Sequence, residues 1–346
     1  MLWSIRRNNI VVKKIRWGII GTGSIAQSFA TDLKLLDDAE LVAVGSRTQQ
    51  SAHAFGEKFS IPHRHASYSA LANDADIDVV YIATPHPLHC ENTLLCLNAG
   101  KHVLCEKPFA MHAHEAQLMI DTASAKQLFL MEAMWTRFIP LIVKLREMLA
   151  QNAIGEVRML QADFCFTAPF NPTGRLFNPA LGGGALLDIG VYQISLASMI
   201  FGPPERLTGM AHIGVTGVDE QNAILMGYSG GRIATLYSST RTDSPIEAVI
   251  MGSQGSIRLH RLMHHPERMT LSVNGSEEKI IHIPVDGFGY GYEAEEVMQC
   301  IRNGKSESAI MPLNETLTII KTMDALREQW GLRYPADKAR AGFSLH

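Results

Sequence analysis

The sequence predicts an α/β protein of two parts: an N-terminal Rossmann-type, doubly wound parallel sheet, then an α+β part with a large, mostly antiparallel open sheet. Three observations predict it. Short, near-continuous apolar runs alternate with helical patterns from Ile15 to about Ala133, a glycine-rich turn follows the first run, and beyond Pro140 strand-like segments succeed one another with few helices between them. A chain of 346 residues suits two cores at roughly 150 residues each. The boundary falls between 14–137 and 138–346, with residues 1–13 a loose lead-in.

The strands of the first part are IRWGII, ELVAVGS, DVVYIAT, KHVLC and LFLMEAM. Strands apolar on both faces belong to a parallel sheet covered by helices on each side. The helices fill the gaps at Ser24 to Leu36, Gln50 to Phe59, His89 to Asn98 and Ala113 to Ala125, with Gly100 as a C-terminal stop. In the second part a helix runs to about Gln151, a strand covers Val157 to Phe166, and a helix follows a polar loop from Gly184 to Phe201. Strands come next at Ala223 to Tyr228, Arg232 to Ser239, Ala248 to Met251, Ser256 to Leu259, Met269 to Val273 and Lys279 to Ile283. Helices at Tyr290 to Arg302 and Asn314 to Gln329 close the chain.

A net charge of -3, with 46% hydrophobic and 19% charged residues, gives no electrostatic reason for a nucleic-acid partner. The cysteines at 90, 96, 105, 165 and 300 are odd in number and lack any C-x-x-C spacing, so they are expected as reduced, buried thiols. No apolar run is expected to cross a membrane and no leader pattern opens the chain, which points to the cytoplasm. His264 and His265 are expected on a strand, facing opposite ways, so no metal site is expected.

The first turn carries G-x-G-x-x-A at Gly21, Gly23 and Ala26, with Ser24 and Ile25 opening the helix. Gly21 permits the tight turn, Gly23 lets backbone approach a pyrophosphate, and Ala26 is small enough for helix to pack on strand. The helix N-terminus then offers unpaired amides and a positive dipole end to the phosphates. The second strand ends in Ser46, Arg47 and Thr48 instead of an acid. A guanidinium there suits a 2′-phosphate, so NADP is expected over NAD, with NAD still possible.

The fourth strand of the sheet ends in Glu106, Lys107 and Pro108, at the carboxyl edge where open α/β folds bind ligands. With this E-K-P, the fingerprint at Gly21, Pro85 with His89, and Gly182-Gly183-Gly184 before Asp188 and Gly190, the sequence resembles the glucose-fructose oxidoreductase, inositol dehydrogenase and MocA family. The resemblance implies that Thr84, Pro85, His89, Glu106 and Lys107 lie beside the cofactor. Most relatives read D-x-G-x-H after the glycines; here Tyr192 takes the place of the histidine. In that respect the chain is similar to the dimeric dihydrodiol dehydrogenases, which also act as NADP-dependent D-xylose dehydrogenases.

Asp188 and Tyr192 are four apart on an expected helix and share one face. A free phenol titrates at about 10, and a nearby ammonium pulls that value down, so Lys107 is expected to tune Tyr192 as proton acceptor while Asp188 orients the pair. Trp135, Arg137 and Phe164 are expected around a small polar substrate. The function implied is reversible NADP-dependent oxidation of a hydroxyl in a sugar, polyol or trans-dihydrodiol. Two alternatives are an enzyme whose cofactor never leaves and a non-catalytic dinucleotide sensor. The open sheet of the second part is expected to be covered by another subunit, in a homodimer or higher homo-oligomer.

Overall fold

A computed structural model describes residues 13–337, so all but the last residue of the expected lead-in lies outside them. The first sheet is built from β1 (Ile15–Ile20), β2 (Ala39–Gly45), β3 (His63–His65), β4 (Val79–Ile82), β5 (His102–Glu106) and β6 (Leu130–Ala133). All neighbouring pairs are parallel, in the order β3-β2-β1-β4-β5-β6. Chain order reverses between β1 and β4, and the carboxyl ends of those strands open the crevice that such sheets use for ligands. Its helices are α1 (Ser24–Leu33), α2 (Gln49–Phe59), α3 (Tyr68–Ala72), α4 (His89–Asn98) and α5 (Ala113–Ala125). Every residue of β4 is buried, as the unbroken apolar run requires. Sequence patterning missed β3 and α3, because three polar residues on a sheet edge and one helical turn carry no period.

After α6 (Pro140–Ala150), the second sheet begins with β7 (Val157–Cys165) and continues after α7 (Val191–Phe201) with β8 (Arg206–Ile213), β9 (Asp219–Gly227) and β10 (Ile233–Ser239). It is completed by β11 (Ala248–Gly252), β12 (Gly255–Leu259), β13 (Arg268–Val273) and β14 (Lys279–His282). The order is β14-β13-β12-β11-β7-β10-β9-β8, antiparallel throughout except where β10 lies parallel to β7. The helices α8 (Gly291–Arg302) and α9 (Leu313–Gln329) complete the chain. β8 escaped the sequence reading because its inward positions include Gly209 and Ala211, which give a weak alternation.

One face of this sheet is covered by α7 and α9, while Met210 (81%), Leu225 (46%) and Met159 (41%) stand exposed from its strands. The helical stretch Pro179–Phe201 is long and apolar enough to cross a membrane, contrary to expectation, but 89% of its most apolar window is buried inside the protein. It is core, packed against β7, β10 and α9.

Of the glycines required by close approach, two sit beside the crevice and the turn into α7. Gly21 has φ +107, and a Cβ there would lie 2.5 Å from the Ala83 carbonyl oxygen, so the β1–α1 turn presses on the end of β4. Gly184 has φ +112, and its Cβ would lie 2.3 Å from Asp219 Oδ1. Asp219 is buried and its Oδ2 accepts the Leu186 amide and the Asn222 side-chain amide, each at 2.8 Å. The expected helix from Gly184 instead opens as a π turn, Leu186–Gly190, which leads into α7.

These approaches separate the two fingerprint glycines. Gly21→Ala should lower unfolding stability by about 1–3 kcal/mol, from a strained φ on top of the clash. Nothing lies within 4 Å of a Cβ on Gly23, so Gly23→Ala should stay within about 0.5 kcal/mol of the parent yet lose dinucleotide affinity. Chemical denaturation and cofactor titration of both variants would check this; equal stability loss in the two would contradict it.

Candidate active site

The carboxyl ends of β1, β2, β4 and β5 and the start of α7 enclose a cleft of about 890 Å³. Its floor is the turn from Gly21 to Ile25. The α1 N-cap, Gly23, brings no side chain to its own helix and no acid sits in the first turn, so the leading amides are free of side-chain caps. With open space over Gly23, these residues fit a pyrophosphate. Ala26 is fully buried where helix meets strand. Ser46 is buried and held by its amide to the His65 carbonyl at 3.1 Å, whereas Arg47 is exposed on the rim of the cleft. The Thr48 hydroxyl is already occupied: it caps α2 by accepting the Ser51 amide at 3.2 Å.

Thr84, Pro85 and His89 also line the cleft. The His89 ring lies between two carbonyls, those of Pro108 and Thr84, each at 2.8 Å, so it ties the end of β4 to the turn after β5. His86 reaches the Gly182 carbonyl at 3.0 Å, and burial, helped by nearby His89, pushes its imidazole down to about 3. Neither histidine is free to move a proton at neutral pH. Glu106 is buried, accepting from the Tyr81 hydroxyl and, at 3.1 Å, from the Lys107 amide; burial raises its carboxyl above the ordinary range.

Lys107 reaches from the end of β5 to the second domain. Its Nζ donates to the Asp188 carbonyl at 2.8 Å, lies 3.5 Å from Asp188 Oδ1, and sits 4.9 Å from the centre of the Tyr192 ring. Arg175, from the loop before the glycines, pairs with the same Oδ1. Burial alone would raise the Asp188 carboxyl, but Lys107 and Arg175 outweigh it and hold it well below the carboxylate range. Tyr192 shifts the other way. Burial, reinforced by Glu106, pushes its phenol well above its ordinary value. The expected lowering of Tyr192 by Lys107 is not what the geometry gives, because the ammonium faces the ring and Asp188 and not the phenolic oxygen. That oxygen instead accepts from Trp135 Nε1 at 3.0 Å, which leaves its own proton to be donated into the cleft.

Trp135 lines the cleft as expected. Phe164 packs behind it, 5.8 Å from the Tyr192 ring and stacked at 4.2 Å on His264. Arg137 is not at the cleft. It is buried, donating to Ser195 Oγ (3.0 Å), the Ser195 carbonyl (2.8 Å) and Glu315 (2.6 Å), and so joins the segment after β6 to α7 and α9. Adjacent charge and aromatic neighbours in the sequence do not distinguish a pocket arginine from a buried clamp.

Sequence reasoning missed Arg175 and Tyr290 and misplaced two histidines. Arg175 sits in an irregular loop with no period to flag it. Tyr290 lines the cleft 4.8 Å from Trp135 at the start of α8. His264 and His265 lie in a turn, not on a strand, and both pack on Trp135; burial and the neighbouring His265 push His264 down to about 3, so it serves as a flat neutral ring.

Residues 15–134 match the family described as oxidoreductase family, NAD-binding Rossmann fold, and residues 142–258 match the GFO/IDH/MocA C-terminal domain. Among curated proteins the chain is 39% identical to trans-1,2-dihydrobenzene-1,2-diol dehydrogenase of Mus musculus, over 94% of this chain and 99% of that one. The Homo sapiens protein of the same name is 36% identical over 94% and 99%. Among solved structures, a 3-ketoreductase from Actinomadura kijaniata in complex with NADP is 26% identical, with TM-score 0.82 over 92% of this chain and 98% of that one. Levoglucosan dehydrogenase in complex with NADH and levoglucosan shares the fold at TM-score 0.84 and 19% identity, covering 92% and 98%. With both domains matched and the glycine turn, Lys107 and the Asp188–Tyr192 turn meeting in one cleft, the chain belongs to the GFO/IDH/MocA family and is an NAD(P)-dependent oxidoreductase.

Proposed function

We propose that the chain catalyses reversible, NADP-dependent oxidation of a hydroxyl on a sugar, polyol or trans-dihydrodiol, with Tyr192 exchanging the proton. The observation that carries this is the Tyr192 hydroxyl: it accepts from Trp135, keeps its own proton, and shares the cleft with Lys107 at the open end of β5. The names of the relatives support the substrate class, since they act on a dihydrodiol. A nicotinamide bound in the cleft supplies the redox chemistry. Tyr192, protonated at neutral pH, donates to the oxygen of a carbonyl under reduction and takes the proton back from the alcohol in the reverse direction. Lys107, anchored by Asp188, supplies positive charge beside the developing oxyanion. Arg175 and Lys107 together keep Asp188 ionised, so the anchor persists across the neutral range.

Arg47 supports NADP over NAD, because among the described residues no carboxylate pairs with it and it stands at the end of β2 where a 2′-phosphate would lie. The exposed sheet face with Met210, Leu225 and Met159 supports a homodimer or higher homo-oligomer through the second sheet. Five buried, unpaired thiols support a cytoplasmic setting.

Tyr192→Phe should keep dinucleotide affinity while turnover falls roughly 100- to 10,000-fold; near-normal turnover would remove it from proton transfer. Because the phenol must be protonated for carbonyl reduction and ionised for alcohol oxidation, reduction should hold through neutral pH and fall only on the alkaline side, whereas oxidation should climb as pH rises. Matching pH profiles in the two directions would contradict that assignment. Arg47→Ala should weaken NADP about tenfold, equivalent to about 1.4 kcal/mol and near the low end for a charged hydrogen bond at an exposed site. NAD affinity should not change, and titration of both cofactors distinguishes selection from an equal loss of both.

A further inference from the structure

Outside the cleft, at the edge of the first sheet, a second group of polar side chains converges. His63 and His65 stand two apart on β3 and so project from the same face. Asp74, in the turn after α3, meets them: its Oδ2 lies 2.7 Å from His63 Nδ1 and 2.9 Å from His65 Nε2. The three atoms lie within 4.8 Å of one another. The Asp74 side chain is 9% exposed while the two rings are 37% and 23% exposed, so the cluster is seated in the protein on one side and open to water on the other.

The cluster is held in place by groups outside it. Asp74 Oδ1 accepts the Asp76 amide at 2.9 Å, which turns Oδ2 towards the rings. Lys101 Nζ donates to the Asp74 and Ile77 carbonyls at 2.6 and 2.9 Å and pins the turn. Each ring therefore aims one nitrogen at a single carboxylate oxygen that the backbone has positioned beforehand.

We infer that His63 Nδ1, His65 Nε2 and Asp74 Oδ2 form a binding site for a divalent transition ion of the zinc class, with water completing its coordination. Two imidazoles and a carboxylate suit zinc, cobalt or nickel, whereas magnesium and calcium demand oxygen ligands. Ligands held at about 2.0–2.1 Å from an ion stand about 2.9–3.4 Å apart, depending on the angle between them. The separation to His65 stands at the lower end of that range and the one to His63 just short of it, so a shift of a few tenths of an ångström admits the ion. The hydrogens on His63 Nδ1 and His65 Nε2 leave through solvent, a neutral ring regaining its proton on the other nitrogen, so that the two N–H···O hydrogen bonds give way to metal–ligand bonds. The ion would clamp edge strand β3 to the turn after α3, and it owes nothing to the dehydrogenase reading, since none of its ligands lines the cleft.

The test is calorimetric titration of tag-free, full-length protein with zinc chloride, paired with the visible spectrum of the cobalt-loaded protein. One saturable zinc per chain is expected. Asp74→Asn keeps the size and an acceptor oxygen but removes the charge, and it should weaken binding at least about tenfold; His65→Ala should abolish it and change the cobalt spectrum. Zinc affinity equal to the parent in folded Asp74→Asn and His65→Ala proteins, checked by circular dichroism, would overturn the site. So would the absence of saturable binding at submillimolar zinc, which would leave Asp74 a hydrogen-bond staple for two histidines.

Discussion

The Lys107 ammonium joins the two halves of the molecule across the cleft at the carboxyl ends of the parallel strands. It leaves the end of β5 in the first domain and finds its partner in Asp188, in the π turn that opens α7 in the second. Everything around this contact is arranged to hold it. Glu106 receives the Lys107 amide, Arg175 holds the far side of the Asp188 carboxylate, and the glycines before the turn allow Asp219 to dock against Gly184 and start the helix. A buried ammonium or carboxylate without its partner is costly, so neither domain presents a settled site alone.

Burial acts on both Asp188 and Tyr192, yet the outcomes diverge because the local charges differ. Asp188 has two cations within reach and is held low, whereas Tyr192 has carboxylates nearby and a lone hydrogen bond from Trp135, and is pushed high. Beneath them Glu132 rises to about 7 and Glu293 rises further, with no hydrogen-bond partner for either of its carboxyl oxygens among the described residues. Asp188 thus stays a fixed anion at neutral pH, and that anion anchors the lysine. The phenol stays neutral beside it. Burial and local charge thus leave an ionised carboxylate and a protonated phenol side by side in one cavity.

Around Trp135 the cavity is backed by an aromatic cluster. Trp135 collects Tyr192, His264, His265 and Tyr290 around it, and Phe164 backs Tyr192 from the second sheet. The phosphate end of the cleft is different in character, made of backbone amides and small side chains.

Patterns that repeat along the chain were legible in the sequence by itself. Apolar runs gave the parallel strands, G-x-G-x-x-A gave the glycine turn at the head of α1, and the E-K-P and D-x-G-x-Y motifs singled out Lys107, Asp188 and Tyr192, which the fold brings into one cleft. Each is a local requirement of backbone geometry or chemistry, and local requirements leave a local trace. Tertiary packing alone decided the rest. It turned Arg137 away from the cleft into a clamp for α7 and α9, drew in Arg175, Tyr290 and His264 from irregular segments, and aimed Lys107 at Asp188 instead of the phenolic oxygen. Proximity across 81 residues between Lys107 and Asp188 has no period and no neighbour rule, and the balance of burial against charge that sets Tyr192 exists only once both domains have closed around it.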